Sequence, residues 1–168
     1  MKTIVFVSGG FDILHIGHIR YFRDAKKLGD KLVVIINNDN WLLKKKGYVF
    51  MKQKERYEII SNIKYVDYVM FTRHKKNTND MSVCSEIISY IKKNKKAKYI
   101  FANGGDRFQS NIPEYILFKK LGIKMVDNVG GKKIQSSSWL IDKIKEQKTE
   151  EKPFKCRIVL NDCGYSPK

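Results

Sequence analysis

The stretch Ser8-Gly9-Gly10-Phe11-Asp12-Ile13-Leu14-His15-Ile16-Gly17-His18 constrains this chain more than any other. Before it, Thr3 to Val7 is a short β-branched and aromatic run. After it, Ile19, Phe22, Ala25 and Leu28 recur at helical spacing. The order is strand, glycine-rich turn, helix. Glycines at such a turn let the backbone approach a ligand, and free N–H groups at a helix start form an anion site. His15 and His18, three apart, share a face of that helix start. Imidazoles there donate hydrogen bonds to phosphate oxygens. The stretch reads as a device for holding a triphosphate.

The rest of the chain alternates strands and helices. Lys31 to Ile36 is apolar enough for a buried parallel strand, and a polar loop, Asn37 to Asn40, follows at its carboxyl end, where open α/β sheets bind ligands. Lys44 to Gly47 reads as a basic loop, Gln53 to Ile63 as a helix and Tyr65 to Phe71 as a third strand. His74 to Asp80 reads as a polar, mobile connection. An amphipathic helix is expected around Val83, Ile87, Ile88 and Ile91, and a fourth strand over Lys98 to Ala102. Pro113 opens a helix that Gly122 ends; Ile123 to Val126 is a fifth strand, and Leu140, Ile141 and Ile144 stripe a last helix. The expected fold is α/β: a Rossmann-like, doubly wound parallel sheet of about five strands with helices on both faces. Residues 1–147 form the domain; 148–168 read as a linker and tail, with a lone strand at Cys156 to Leu160.

Gly10-Phe11-Asp12 with His15-Ile16-Gly17-His18 resembles the signature of the cytidylyltransferase-like nucleotidyltransferase superfamily, and the resemblance runs over residues 2 to 147. It implies an enzyme in which a substrate phosphate attacks the α-phosphorus of a nucleoside triphosphate and pyrophosphate departs. Such a protein positions the reactants and neutralises growing charge. By the same resemblance, His15 and His18 contact the α- and β-phosphates. Gly9, Gly10, Phe11, Asp12 and Gly17 shape the nucleotide loop, with Asp12 orienting it. Asp39 and Lys44 to Lys46 face the substrate, and counting from Asp39 favours Lys45 as the phosphate lysine. Arg56 corresponds to an arginine that faces the acceptor phosphate. Asn103 to Arg107 matches a loop that holds base and ribose, with Gly105, Asp106 and Arg107 as contacts. Ser136, Ser137 and Ser138 resemble a second signature that cradles the β- and γ-phosphates at a helix start. Relatives carry a basic residue near it; this chain has Gln135 and Trp139, leaving Lys132 or Lys133 as substitutes. Mg²⁺ enters on the nucleotide phosphates, with no protein metal site, and relatives are commonly homodimers.

Two branches fit. Lys46-Gly47, Val66-Asp67 and Gly104-Gly105-Asp106 look like heptose-phosphate adenylyltransferases; chain length and the stretch from Lys44 to Tyr48 look equally like glycerol-3-phosphate cytidylyltransferases. Both activate a small phosphorylated sugar or polyol for glycan or surface-polymer synthesis, and ATP against CTP stays open. A class I aminoacyl-tRNA synthetase is excluded by size and by the lack of a Lys-Met-Ser-Lys-Ser loop.

Composition bounds the remainder. No apolar run in the 168 residues approaches a membrane span, and the N-terminus lacks a signal-peptide pattern, so a cytoplasmic protein without a membrane partner is expected. Cys84, Cys156 and Cys163 show no metal or disulfide spacing. The net charge of +17 falls in scattered lysine clusters without a recognised nucleic-acid module. It reads as background charge. A non-catalytic nucleotide- or nucleic-acid-binding protein on the same fold is the alternative.

Overall fold

Residues 4–7 and 32–36 are almost wholly buried, as continuous apolar runs become when both sheet faces are covered. They form β1 (Lys2–Gly9) and β2 (Lys31–Ile36), paired in parallel from Ile4 opposite Lys31 to Gly9 opposite Ile36. A computed structural model describes residues 1–104, 114–132 and 134–149. Its other elements are α1 (Ile16–Lys26), α2 (Asp39–Lys46), α3 (Gln53–Ser61), β3 (Tyr68–Phe71), α4 (Cys84–Lys93), β4 (Ala97–Gly104), α5 (Tyr115–Lys120), β5 (Lys124–Val129) and α6 (Ser137–Thr149). The five strands are all parallel in the order β3-β2-β1-β4-β5. The expected doubly wound sheet is present. Its order reverses between β1 and β4, which puts a binding crevice at the carboxyl ends of those strands.

Side chains alternate across the strands and build two cores. Val5, Val7, Leu32, Val34 and Ile36 pack with Phe22 and Ala25 of α1 and Ile60 of α3. Ile4, Phe6, Val33, Ile35 and Phe101 pack on the other face with Val83, with Ile87 of α4 and with Phe118 of α5. The residues separate into two compact units, Met1–Ser137 and a second that begins at Ser138.

Several expected boundaries are corrected. The polar stretch after β2 and the lysine run are the two ends of one helix, α2, rather than loops. Asn38 caps it, its Oδ1 accepting from Trp41 N at 3.0 Å. Gly47 closes it at φ +81°, in the left-handed region that suits glycine. The helix is hard to see in sequence because only Trp41 and Leu42 are buried. β3 starts at Tyr68 rather than Tyr65, and β5 runs through Asp127 and Asn128 to Val129. The connection after β3 is fastened rather than loose. His74 bridges Thr72 Oγ1 and Ser82 O, each at 2.9 Å, while its own carbonyl accepts from Asn38 Nδ2 and Asn40 Nδ2. Pro113 and the strand expected at 156–160 lie outside the described residues.

Candidate active site

β1 delivers the chain into a loop that packs tightly on itself. A Cβ on Gly9 would sit 2.8 Å from the Phe11 ring, and one on Gly10 would sit 2.8 Å from Leu42 Cδ2. Both positions therefore need glycine for packing. Phe11 is buried, with edge-on contacts to Phe22 at 5.1 Å and to His18 at 5.2 Å between ring centroids. It plugs the core beneath the loop. Asp12 is 1% exposed, and its carboxylate accepts from Phe50 N at 2.9 Å and Met51 N at 2.6 Å. That ties the loop to the segment ahead of α3.

The two histidines cap α1. His15 Nδ1 accepts from Gly17 N at 3.2 Å, and His18 Nδ1 accepts from His15 N at 3.3 Å. Their rings stack with centroids 3.8 Å apart. Gly17 permits this, since a Cβ there would lie 2.9 Å from His15 Cε1. With both Nδ1 atoms accepting, the proton of each neutral ring sits on Nε2. Burial, then the charges of His15 and Lys46, pull the His18 pKa down to about 3. Burial, then Lys46, also lowers that of His15. At neutral pH the pair presents two uncharged N–H donors at the positive end of a helix.

Three lysines leave α2 differently. Lys46 Nζ donates to Asp12 O at 2.7 Å, and its pKa is lowered chiefly by burial. Lys44 donates to Thr78 O and Asn79 Oδ1, away from the loop. Lys45 is exposed. Lys46 is the member of the run that reaches the histidines. Arg56, in α3, is fully buried. Its Nε donates to Met51 O at 2.9 Å, one terminal nitrogen to Gly10 O at 2.6 Å and Asn37 O at 2.7 Å, and the other to Asp39 Oδ1 at 2.7 Å. The guanidinium binds the carboxyl ends of β1 and β2 and the start of α2 together. Asp39 is its ion-pair partner.

The chain returns to the loop just before α6. Ser137 Oγ donates to Ile13 O at 3.1 Å, and the Gln135 carbonyl oxygen lies beside Gly17. Ser136 N donates to Gln135 Oε1. Ser138 begins the second unit and Lys132 is exposed. Gly105, Asp106, Arg107 and Lys133 lie outside the described residues. Asn103, at the end of β4, donates to Asp127 Oδ1 at 2.8 Å. Among the described residues no group of three or more His, Cys, Asp or Glu side chains is placed to hold a metal ion, and no helix is long and apolar enough to cross a membrane. The Asp12 carboxylate already receives two backbone donors, so the donor set here suits a cation that arrives on a ligand's own phosphates.

The structure thus sets the two histidines, stacked, at the start of the helix that follows β1 of a reversed parallel sheet. A family model described as cytidylyltransferase-like matches residues 6–152. The chain belongs to the cytidylyltransferase-like family. It is thereby grouped with nucleotidyltransferases. Bifunctional protein HldE of Campylobacter concisus is 31% identical over 153 residues, covering 90% of this chain and 29% of that protein. The chain thus spans less than a third of that relative's length. FAD synthase of Pyrococcus abyssi is 46% identical over 67 residues, 39% of this chain and 45% of that protein. The crystal structure of a lipopolysaccharide core biosynthesis protein from Thermoplasma volcanium superposes with TM-score 0.55 at 30% identity, covering 76% of this chain and 97% of the other. NadR, in complex with NAD and AMP-PNP, shares the fold at 17% identity and TM-score 0.50, over 90% of this chain and 44% of that one.

The sequence reading set Asn37 to Asn40 at the ligand-binding end of β2 without singling out Asn37. Asn37 is 2% exposed between the first loop and Arg56, and its side-chain oxygen has no partner among the described residues. In sequence it was one of several loop asparagines; only its main-chain bonds distinguish it.

Proposed function

We propose that this protein transfers a nucleotidyl group from ATP or CTP to the phosphate of a small phosphorylated sugar or polyol. An oxygen of the acceptor phosphate attacks the α-phosphorus in line, the bond to the β-phosphate's bridging oxygen breaks, and pyrophosphate leaves. The carrying observation is the neutral His15–His18 pair, whose Nε2–H groups are held ready as donors beside the Lys46 ammonium. Donors fixed before the reaction stabilise charge growing on phosphate oxygens without reorganising. His15 and His18 serve the α- and β-phosphates. Lys46, rather than Lys45, supplies the lysine charge, because it is the one anchored to the loop. Asp12 and Arg56 act through the loop they hold; Arg56 reaches the acceptor phosphate only by giving up one of its present bonds. Mg²⁺ bound to the nucleotide's own phosphates would supply further neutralisation of phosphate charge. Ser136 and Ser137 are assigned to the β- and γ-phosphates, a reading supported by the bond from Ser137 to Ile13 O of the same loop, and Gly105, Asp106 and Arg107 are retained as base and ribose contacts.

The relative in lipopolysaccharide core biosynthesis supports a sugar-phosphate acceptor and a role in surface-glycan assembly. A cytoplasmic homodimer is part of the proposal, and sedimentation tests the dimer. The deciding experiment is pyrophosphate release with Mg²⁺, pairing ATP and CTP with sugar 1-phosphates, glycerol 3-phosphate and phosphocholine. Release with one pair identifies base and acceptor together. No release, with no calorimetric binding of either nucleotide, refutes the proposal.

A further inference from the structure

Asn37 continues β2 beyond its last residue. Its N–H donates to Gly9 O at 2.9 Å, and its carbonyl accepts from Arg56 at 2.7 Å, so its main chain is fixed on both sides. Alternation along the strand puts its side chain on the face of Val33 and Ile35. Two other strand-end polar side chains cap that same face at the carboxyl edge, and both are satisfied. Thr72 Oγ1 accepts from Asn38 N and pairs with His74 Nδ1; Asn103 Nδ2 donates to Asp127. Asn37 Oδ1 is the one buried side-chain oxygen or nitrogen without a partner among the described residues.

Buried amide oxygens are rarely left unpaired, and where one is, a ligand or water commonly completes it. Its position separates the two ligands of the proposed reaction. The crevice opens between β1 and β4, and the residues that the resemblance assigns to the base, Gly105 to Arg107, follow β4 in the sequence. Asn37 lies on the opposite side of β1, where its main-chain carbonyl shares the Arg56 guanidinium with Gly10 O and the Asp39 carboxylate. The group that meets it is therefore the acceptor. An amide oxygen accepts, so that group must donate, and on a phosphorylated sugar or polyol the donors are hydroxyls.

We infer that Asn37 is a specificity-determining residue that accepts a hydrogen bond from a hydroxyl of the acceptor's sugar or polyol. This rests on the proposed reaction. It adds a reason for the acceptor to be hydroxylated rather than any alkyl phosphate. Discrimination arises because an acceptor lacking that hydroxyl leaves Oδ1 buried and unpaired.

The test is calorimetric binding to the full chain, using glycerol 3-phosphate, mannose 1-phosphate and phosphocholine, which has no hydroxyl on its alkyl part. The wild type binds at least one hydroxylated probe about 10-fold or more tighter than phosphocholine. Asn37→Leu erases that preference and leaves ATP and CTP affinity within about twofold, while Asn37→Asp, which keeps an acceptor oxygen, retains the preference. Circular dichroism melting confirms that each variant is folded, and the Asp variant carries the test if the Leu variant is not. A preference that survives in Asn37→Leu, or is lost in a folded Asn37→Asp, overturns the inference. So does a loss that falls on the nucleotide instead. A wild type that binds nucleotide but treats the three probes alike overturns the Asn37 assignment alone. A wild type that binds neither ATP nor CTP takes down the proposed reaction as well.

Discussion

His18 has two duties, one for each ring nitrogen. Nδ1 caps α1, and in the proposed reaction Nε2 is the donor offered to phosphate. The two are separable by substitution. Asparagine places an amide where Nδ1 was and nothing where Nε2 was. His18→Asn is expected to keep stability within about 1 kcal/mol, the scale of one helix cap. It is also expected to lower turnover about 100-fold or more, the scale of one lost transition-state donor. Urea unfolding and steady-state rates on the same preparation check both, and full activity in the folded variant removes His18 from the chemistry. The depressed pKa makes a second prediction. Unfolded His18 binds a proton near pH 6.5, whereas the folded ring resists until about 3, so the unfolded state gains protons first as pH falls. Stability should therefore decline from pH 6.5 downward, by at most about 1.4 kcal/mol per pH unit from this group. Denaturation between pH 7 and 5, where carboxylates stay ionised, should show a shallower decline for His18→Asn than for wild type.

Arg56 ties α3 to the strand ends and Lys46 ties α2 to the loop after β1, and the two side chains serve different purposes. Arg56→Ala strands two strand-end carbonyls, the Met51 carbonyl and the Asp39 carboxylate at once. A loss of about 3–5 kcal/mol in urea unfolding is expected. Lysine should rescue little of it, because one ammonium cannot reproduce the planar fork. Lys46→Ala is expected to cost activity about 10-fold more than Lys45→Ala, as the lost charge of a fixed rather than a solvated cation. Equal effects would dissolve the distinction drawn between them. The sheet and most helices were legible because their patterns are strong: an unbroken apolar run in β2, and an apolar stripe at helical spacing in α4. α2 was not, since its capping signals, Asn38 before it and Gly47 after it, flank a sequence with almost no buried stripe. The histidine pair was legible from its spacing and its place after a strand. Arg56 was named as a candidate from the resemblance, but its engagement was not legible, because its partners are mostly backbone carbonyls remote in sequence. Asn37 was read with its neighbours as part of the polar stretch after β2, but the burial of its unpaired oxygen depends on packing that no local pattern carries.

Across the whole molecule the charge is lopsided, with 34 Lys and Arg against 17 Asp and Glu. Like charges at that density repel within a compact fold, and salt screens them. The melting temperature should rise as NaCl goes from about 20 to about 200 mM; a fall would mean that attractive surface pairs dominate. The same charge makes oligonucleotide binding the observation that would favour the non-catalytic reading. That reading requires an affinity that collapses steeply with salt. The cap formed by the two imidazoles also bears on how such chains are inherited. A descendant that abandoned its reaction could exchange either histidine for another capping side chain such as asparagine at little cost to the helix, so selection for folding alone keeps a cap but not the pair. Persistence of both histidines among gene copies therefore records more than a preserved helix start. An oxygen buried without a partner brings no such benefit to the fold, and drift at position 37 would be the earlier mark of an enzyme gone silent.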